Sequence, residues 1–191
     1  MTNGWDHTLR QKTAETFGVD FQEMDSRHRL IFEMYETGKI TFDDYLKRTM
    51  FFEKRIYTIQ DVKQFIFDAV QPYDDMINLI KEIRENYPVK VVVVSNEGRE
   101  LAVDRIRRFD LTSFVDFFIV SSFVHCRKPD PEIYRLAIDS AQVPPSKIVY
   151  IDDRALLVEM AKDLGIQGIH HKNVETTEAA LSMLLNKIGV N

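Results

Sequence analysis

The second half of the chain alternates between short apolar runs and amphipathic stretches of helical period. Clear runs occupy residues 89–94, 117–120 and 148–151, and a weaker one occupies residues 167–170. Between them, apolar residues recur three and four positions apart, as on one face of a helix. Strands that alternate with helices predict a three-layer, doubly wound α/β fold built on a parallel sheet. Because helices cover both faces of such a sheet, we expect the 148–151 strand to be buried.

The first third of the chain has helical periodicity and no strand-like run. One amphipathic stretch stops at Gly38, and glycine is common just after the end of a helix. Thr41 and Thr58 each precede an aspartate by three residues, which is the spacing of a capping box, so each is expected to begin a helix. Residues 11–71 are therefore predicted to form a small helical module, which Pro72 interrupts.

Composition narrows the possible functions mainly by exclusion. The length of 191 residues suits one domain or one domain with an insert, and the net charge of -5 argues against nucleic acid or acidic membranes as partners. No apolar run reaches the roughly 18 residues of a membrane helix. The single cysteine, Cys126, and an opening unlike a secretion signal favour a cytoplasmic location. A monomer and a homodimer are both compatible with the sequence.

Polar side chains that suit phosphate chemistry follow the predicted strands. Ser95 and Asn96 follow the first run, Asp152 and Asp153 end the third, and Lys128 follows the second at some distance. A hydroxyl and backbone N–H groups suit a phosphoryl oxygen, a lysine offsets its charge, and carboxylates bind Mg²⁺. Each residue alone could be only a helix cap or a solvated charge. Because ligands gather outside the carboxyl ends of the strands, we expect Ser95, Lys128 and Asp152 to converge in one pocket.

The order of these segments resembles that of the haloacid dehalogenase (HAD) superfamily, a large group of mostly phosphate-ester hydrolases. The strand that ends in Ser95-Asn96 looks like the second motif of the family, and the Lys128-Pro129-Asp130 segment looks like the third. The Tyr150-Ile151-Asp152-Asp153 segment is similar to the fourth motif. The resemblance covers essentially the whole chain. It implies a HAD-like, Rossmann-type core with a small α-helical cap insert.

The resemblance also implies roles for individual residues. Ser95 and Lys128 would act in catalysis, and together with Asn96 they would bind the phosphate of the substrate. Asp152 and Asp153 would be the ligands of Mg²⁺.

The domain boundaries implied by the resemblance place the helical cap at residues 11–71 and the core at residues 1–10 and 72–191. The core is expected to lack its first strand. In relatives that strand lies between the strands that end at Ser95 and Asp152. We therefore expect these two strands to pair directly, a segment near Met1 to fill the gap, or a second chain to donate a strand.

The first motif of the family is an apolar strand that ends in an aspartate nucleophile, with a second acid two residues later. No such strand precedes Asp6. The segment that ends in Asp68 also has apolar residues before its aspartate. However, Val70 stands at the place of the second acid, and the segment has helical periodicity. Neither Asp6 nor Asp68 is therefore expected to be a nucleophile.

The function implied by the resemblance is that of a Mg²⁺-dependent phosphatase, which acts on a small phosphorylated metabolite through an aspartyl-phosphate. The polypeptide as given is expected to be inactive, because covalent phosphoryl transfer needs the nucleophile. The alternative is a non-catalytic, phosphate-binding or regulatory protein of the same fold. A metal-free dehalogenase is disfavoured, because paired acids suit magnesium and phosphate better.

The helix that follows Ser95 carries a set of arginines. They are Arg99, Arg105, Arg107 and Arg108. Acidic residues lie among them, so we expect a solvated, ion-paired helix face.

Overall fold

The structure is a computed structural model, and it describes residues 1–187 and 189. The chain divides into two compact units. The first, called here the helical unit, comprises Met1–Tyr73, Asn96–Leu111 and Val120–His125. The second, called the α/β unit, comprises Asp74–Ser95, Thr112–Ile119 and Cys126–Asn191. The predicted cap and core boundaries stay a prediction. The spacing of Leu181, Leu184, Leu185 and Ile188 predicts a terminal helix, of which Ile188 lies outside the described residues.

Helices and strands follow one another in the predicted order. The helices are α1 (His7–Phe17), α2 (Phe21–Glu36), α3 (Phe42–Thr49), α4 (Ile59–Ala69), α5 (Asp74–Asn86), α6 (Arg99–Arg108), α7 (Ser121–Val124), α8 (Pro131–Ala141), α9 (Ala155–Asp163) and α10 (Val174–Lys187). The strands are β1 (Val92–Ser95), β2 (Phe117–Val120), β3 (Val149–Asp152) and β4 (Gln167–His170). The pattern of helical residues before Pro72 and alternating elements after it is thus confirmed.

Helix starts in the helical unit are satisfied by side-chain caps. The Thr41 hydroxyl accepts a hydrogen bond from the backbone N–H of Asp44. At Thr58 the capping box is complete, because Asp61 also accepts from the Thr58 backbone N–H. Both predicted helix starts are therefore confirmed. Each cap satisfies N–H groups that lack a partner within the helix and contributes on the order of 1 kcal/mol.

The core of the helical unit is formed by side chains of its first four helices. Tyr35, Phe42 and Tyr45 form a stack of rings, with centroids 5.0 to 6.2 Å apart. Leu46 of α3 and Met50, which directly follows the helix, are fully buried. Burial of each such side chain stabilises the fold by roughly 1.5 to 3 kcal/mol. Packing therefore holds these helices together more than their intrinsic propensity does.

The strands of the α/β unit pair differently from the prediction of one continuous sheet. β3 and β4 are parallel, with Asp152 opposite His170, whereas β1 and β2 form a separate two-stranded sheet. All four residues of β3 are partly exposed, so the prediction that this strand is buried was wrong. The reason is that β3 pairs along only one edge with the other described strands. A covered central position would require a partner on its second edge as well.

The structure bears on two of the three outcomes that were expected at the gap beside β3. Direct pairing of β1 with β3 does not occur in the part of the chain that the structure describes. The segment near Met1 instead forms an antiparallel bridge from Thr2 to Pro72 within the helical unit. There the Tyr73 N–H donates to the Met1 carbonyl at 2.7 Å. Donation of a strand by a second chain stays a prediction.

Apolar side chains of the α/β unit cover β4 and the start of β3. Ile169 on β4 packs with Leu181 and Leu185 of α10, and all three are buried. Val158 of α9 is also buried, and a Cβ atom at Gly168 would overlap its side chain.

Among the described residues, no helix combines the length and hydrophobicity that crossing a bilayer requires.

Candidate active site

Three side chains of the α/β unit form a closed hydrogen-bonded cluster. The Lys128 ammonium donates to Asp152 Oδ2 at 2.8 Å and to the Tyr150 hydroxyl oxygen at 3.0 Å. The Tyr150 hydroxyl donates to the same Asp152 Oδ2 atom at 2.6 Å. The side chains of Lys128 and Asp152 are only 6% and 7% exposed. The Lys128–Tyr150–Asp152 cluster is therefore a largely desolvated ion pair in which a neutral hydroxyl contacts both charges.

The strand and the turn that follows it set the position of Asp152. Tyr150 and Asp152 stand two residues apart on β3, so their side chains leave the same face of the strand. After β3 the backbone N–H of Arg154 donates to Asp152 Oδ1 at 3.0 Å, and the Arg154 guanidinium lies 3.6 Å from that atom. Each carboxylate oxygen therefore has its own donors, and the plane of the carboxylate is fixed.

Lys128 is held by the loop that leads into α8. Asp130 caps this helix by accepting from the Glu132 N–H at 2.9 Å, and Pro131 occupies the first helical turn. In the sequence, an aspartate directly before a proline predicts a helix cap at Asp130 with Pro131 as the first helical residue, and the structure confirms it. A proline at this position costs no hydrogen bond, because its missing N–H would have had no partner inside the helix. The loop therefore ends in a helix cap two residues after Lys128, and the helix itself starts one residue later.

The electrostatics of the cluster favour a charged aspartate. Burial alone would raise the pKa of Asp152, but the Lys128 ammonium and the hydrogen bonds from Lys128 and Tyr150 lower it to about 2. Burial lowers the pKa of Lys128, against the opposing charge of Asp152. Burial and the adjacent Asp152 carboxylate raise the pKa of Tyr150, which keeps its hydroxyl protonated. The cluster therefore holds one negative charge, one positive charge and a neutral donor.

Ser95 and Asn96 stand where the sequence predicted a strand end. Ser95 is the last residue of β1 in the α/β unit, and it is partly exposed. Asn96 begins a segment of the helical unit. The structure thus brings Lys128 together with Asp152, whereas the convergence of Ser95 with them, and the roles of all these residues, stay predictions.

The carboxylates at the end of β3 offer oxygen atoms to a metal ion. Asp152 Oδ1 accepts one backbone hydrogen bond, which leaves it a lone pair, and the neighbouring Asp153 is exposed. Magnesium is commonly held by one or two carboxylates together with water and substrate phosphate. The donor set of Asp152 and Asp153 therefore fits Mg²⁺. Within the described residues, no group of three or more histidine, cysteine or acidic side chains forms a complete metal cage.

The two aspartates considered as substitutes for the family nucleophile have other structural roles. Asp6 caps α1, and its carboxylate accepts from the Leu9 N–H at 2.8 Å. Asp68 lies on α4 and accepts from the Gln64 side chain at 2.9 Å, exposed to solvent. Both observations agree with the reasons for which the sequence disfavoured these residues.

Arg105 was predicted on a solvated face, and this prediction was wrong for that residue. Its side chain is 10% exposed and forms an ion pair with Glu97, which is equally buried. Burial lowers the pKa of Arg105 to about 10. The partner precedes α6, so the charge pattern along the helix could not reveal the pair.

Tyr150 was also missed as a participant in the Lys128–Tyr150–Asp152 cluster, because a tyrosine within a strand is normally a packing residue.

Comparison with known proteins identifies the family and the fold of the chain. A family model described as haloacid dehalogenase-like hydrolase matches residues 5–165. Phosphorylated carbohydrates phosphatase of Thermotoga maritima is 29% identical over 167 residues, with 84% of this chain and 74% of that protein covered. Flavin mononucleotide hydrolase 1 of Arabidopsis thaliana is 22% identical, with 95% of this chain and 71% of that protein covered.

One solved structure has a fold similar to that of this chain. It is a HAD family enzyme from Bacteroides thetaiotaomicron, crystallised in complex with magnesium and inorganic phosphate. The TM-score is 0.72 at 19% identity, with 90% of this chain and 89% of that chain covered. The predicted α/β fold class of HAD type is thereby confirmed.

Proposed function

Because this chain belongs to the haloacid dehalogenase-like hydrolases, we propose that it is a Mg²⁺-dependent phosphatase module that acts on a small phosphate monoester. The observation that carries the proposal is the buried pair of Lys128 and Asp152 at the carboxyl end of β3. Two of the relatives bear names that describe hydrolysis of phosphorylated carbohydrates and of flavin mononucleotide. Both substrate types are phosphate monoesters of small molecules, and that shared chemistry is what we propose for this chain.

In this proposal each residue acts on one part of the substrate phosphate. Ser95 and the backbone at Asn96 bind phosphoryl oxygens, and the Lys128 ammonium stabilises the negative charge that these oxygens carry. Asp152 orients Lys128 and, with Asp153, would hold Mg²⁺. When bound there, Mg²⁺ would neutralise negative charge on the phosphoryl group.

The covalent step of the proposed mechanism passes through an aspartyl-phosphate, which requires an acid as nucleophile. Asp6 is engaged as a helix cap and Asp68 lies on an exposed helix face. We therefore propose that the 191-residue polypeptide, by itself, binds phosphate without appreciable turnover. The alternative function, a phosphate-binding or regulatory protein, makes the same prediction for this polypeptide. The two are separated by whether the chain hydrolyses the ester when it is fused behind an apolar strand that ends in an aspartate.

The experiment measures binding of inorganic phosphate by calorimetry, with and without Mg²⁺, and turnover of a generic aryl phosphate. We expect phosphate binding that Lys128→Met weakens at least tenfold, roughly the effect of losing one hydrogen bond to a charged group. Lys147→Met is the matched control, because Lys147 is exposed and lies before β3. Failure of the wild-type chain to bind phosphate would refute the site. Turnover abolished by Asp152→Asn would refute the proposed inactivity.

A further inference from the structure

We propose that Tyr150 is a positioning residue of the phosphate site, whose hydroxyl fixes the Lys128 ammonium and the Asp152 carboxylate relative to each other. A contribution of Tyr150 to phosphate binding rests on the proposed function. The placement of Lys128 and Asp152 by its hydroxyl rests on the Lys128–Tyr150–Asp152 cluster alone. Tyr150 is not a catalytic residue in this proposal, because it acts through its two charged neighbours.

The direction of each hydrogen bond in the cluster follows from the chemistry of the groups. A lysine ammonium has only donors, so the Tyr150 oxygen must accept at the 3.0 Å contact with Lys128. The single hydroxyl hydrogen is then available for the 2.6 Å contact with the Asp152 carboxylate, which is an acceptor. The hydroxyl therefore accepts from the positive group and donates to the negative one. A phenylalanine ring could do neither.

The Tyr150 ring is itself held in place. It meets the ring of Tyr134 edge to face, with centroids 5.5 Å apart and an angle of 80° between the planes. The Lys128 ammonium lies 5.5 Å from the centroid of the Tyr150 ring and 3.0 Å from its hydroxyl oxygen, so it stands at the hydroxyl end of the ring and not over the ring face. The hydroxyl therefore meets the charge. Because the Tyr134 contact limits the Tyr150 ring, whereas Lys128 reaches the cluster through four side-chain torsions, Tyr150 provides the more rigid reference for the ammonium.

The hydrogen bonds of the cluster determine how Lys128 and Asp152 are oriented when a ligand binds. Asp152 Oδ2 receives both Lys128 and Tyr150, while Oδ1 receives the Arg154 N–H. This division leaves the direction of the Oδ1 lone pair defined. It also keeps the Lys128 charge in one place before phosphate arrives, which reduces the ordering cost of binding. Without the hydroxyl, both side chains gain rotamers that point away from the ligand.

The test uses Tyr150→Phe, which retains the ring and its packing. The first readout is the ¹⁵N resonance of the Lys128 side-chain ammonium, assigned by its loss in Lys128→Arg, together with the exchange rate of its protons. The second readout is the dissociation constant of inorganic phosphate. Tyr87→Phe is the control, because it removes a tyrosine hydroxyl elsewhere in the α/β unit, from a ring that packs against the core of Ile169, Leu181 and Leu185. Melting temperatures verify that both variants fold.

For Tyr150→Phe we expect faster exchange of the Lys128 ammonium protons and phosphate binding weakened by about tenfold, as for loss of one charge-assisted hydrogen bond. Tyr87→Phe is expected to leave both readouts within about twofold of the wild type, since Tyr87 belongs to the core around Ile169 and not to the Lys128–Tyr150–Asp152 cluster. Unchanged ammonium exchange in Tyr150→Phe would overturn the inference. If the wild-type chain binds no phosphate, the proposed function fails, while the ammonium exchange still decides whether Tyr150 positions Lys128.

Discussion

The Lys128 ammonium nitrogen and Asp152 Oδ2 lie 2.8 Å apart, although the residues are separated by 24 positions in the sequence. Both side chains are almost completely buried. Removing two charges from water is costly, and their attraction offsets this cost only while both partners remain. The pair is therefore a poor source of net stability, and a protein that keeps it has a use for the charges.

Loss of one member of this pair should be more harmful than loss of both. Lys128→Met leaves a buried carboxylate without its counter-ion, and we expect it to lower the free energy of unfolding by about 3 to 5 kcal/mol. Adding Asp152→Leu to this variant should recover much of the loss. Urea denaturation of the two variants and of Lys147→Met checks this. A double variant no more stable than Lys128→Met would contradict the argument.

Local signals explain most of what the sequence could predict. Thr41, Thr58 and Asp130 were recognised as helix caps because a cap and its N–H partner lie within three residues of each other. Lys128 and Asp152 were placed together by the order of motifs, which carries information about strand ends that no local pattern holds.

The features that the sequence did not predict depend on partners distant along the chain. An apolar strand has the same pattern whether it pairs on one edge or two, so the partial exposure of β3 could not be seen in Ile148-Val149-Tyr150-Ile151. Arg105 belongs by spacing to an exposed arginine set, and only the fold shows that Glu97 neutralises it. Burial of a charge is decided by its partner, which composition and periodicity do not identify.

Gly98 illustrates a residue whose identity is determined by a neighbour in space. A Cβ atom at this position would overlap the Tyr35 ring, which is itself 2% exposed within the core of the helical unit. We expect Gly98→Ala to destabilise the fold by roughly 1 to 3 kcal/mol, because the ring must move in a packed core. Thermal unfolding measures the change. Gly4→Ala is the control, since nothing lies within 4 Å of the added atom, and an equal effect there would contradict the steric explanation.

Asp116 connects β1 and β2 at their start. Its Oδ2 atom accepts from the Val91 N–H at 2.7 Å and from the Arg84 guanidinium at 2.7 Å. These hydrogen bonds lower the pKa of Asp116. We expect Asp116→Ala to destabilise the fold by about 1 to 2 kcal/mol, mainly through the lost acceptor of the Val91 N–H. Asp116→Asn, which retains an acceptor oxygen, should cost less in urea denaturation, and equal losses would assign the effect to charge alone.

The protonation state of His28 gives a prediction about pH. The Trp5 indole N–H donates to the Tyr45 hydroxyl oxygen at 2.8 Å, and the same hydroxyl lies 2.8 Å from His28 Nδ1. Since the indole can only donate, the hydroxyl hydrogen is available for Nδ1, and a neutral imidazole with an unprotonated Nδ1 is the form that accepts it. Burial, reinforced by the Arg10 charge, lowers the pKa of His28 from 6.5 to about 4, although Asp25 opposes this. The fold therefore requires the neutral imidazole.

The direction of the pH effect follows from this lowered pKa. Between pH 6.5 and 4 the unfolded chain binds a proton at His28 and the folded chain does not. The contribution of His28 is therefore fully present above pH 6.5 and is lost as the pH falls toward 4. We expect this loss to amount to about 1 to 2 kcal/mol, after allowance for solvent screening of a partly exposed ring. The measurement is the free energy of unfolding in urea at intervals from pH 7 to 4.

His28→Asn separates this effect from the titration of the acidic residues in the same range. The asparagine oxygen can stand where Nδ1 stands and accept from Tyr45, but it does not titrate. The Arg10, Asp25 and Arg29 charges that face His28 are unchanged in the variant. The difference in unfolding free energy between wild type and variant should thus shrink or change sign below pH 6, with the variant becoming relatively more stable. Parallel pH profiles for the two proteins would show that the neutral state of His28 is not coupled to folding, and the hydrogen bond from Tyr45 would then need another explanation.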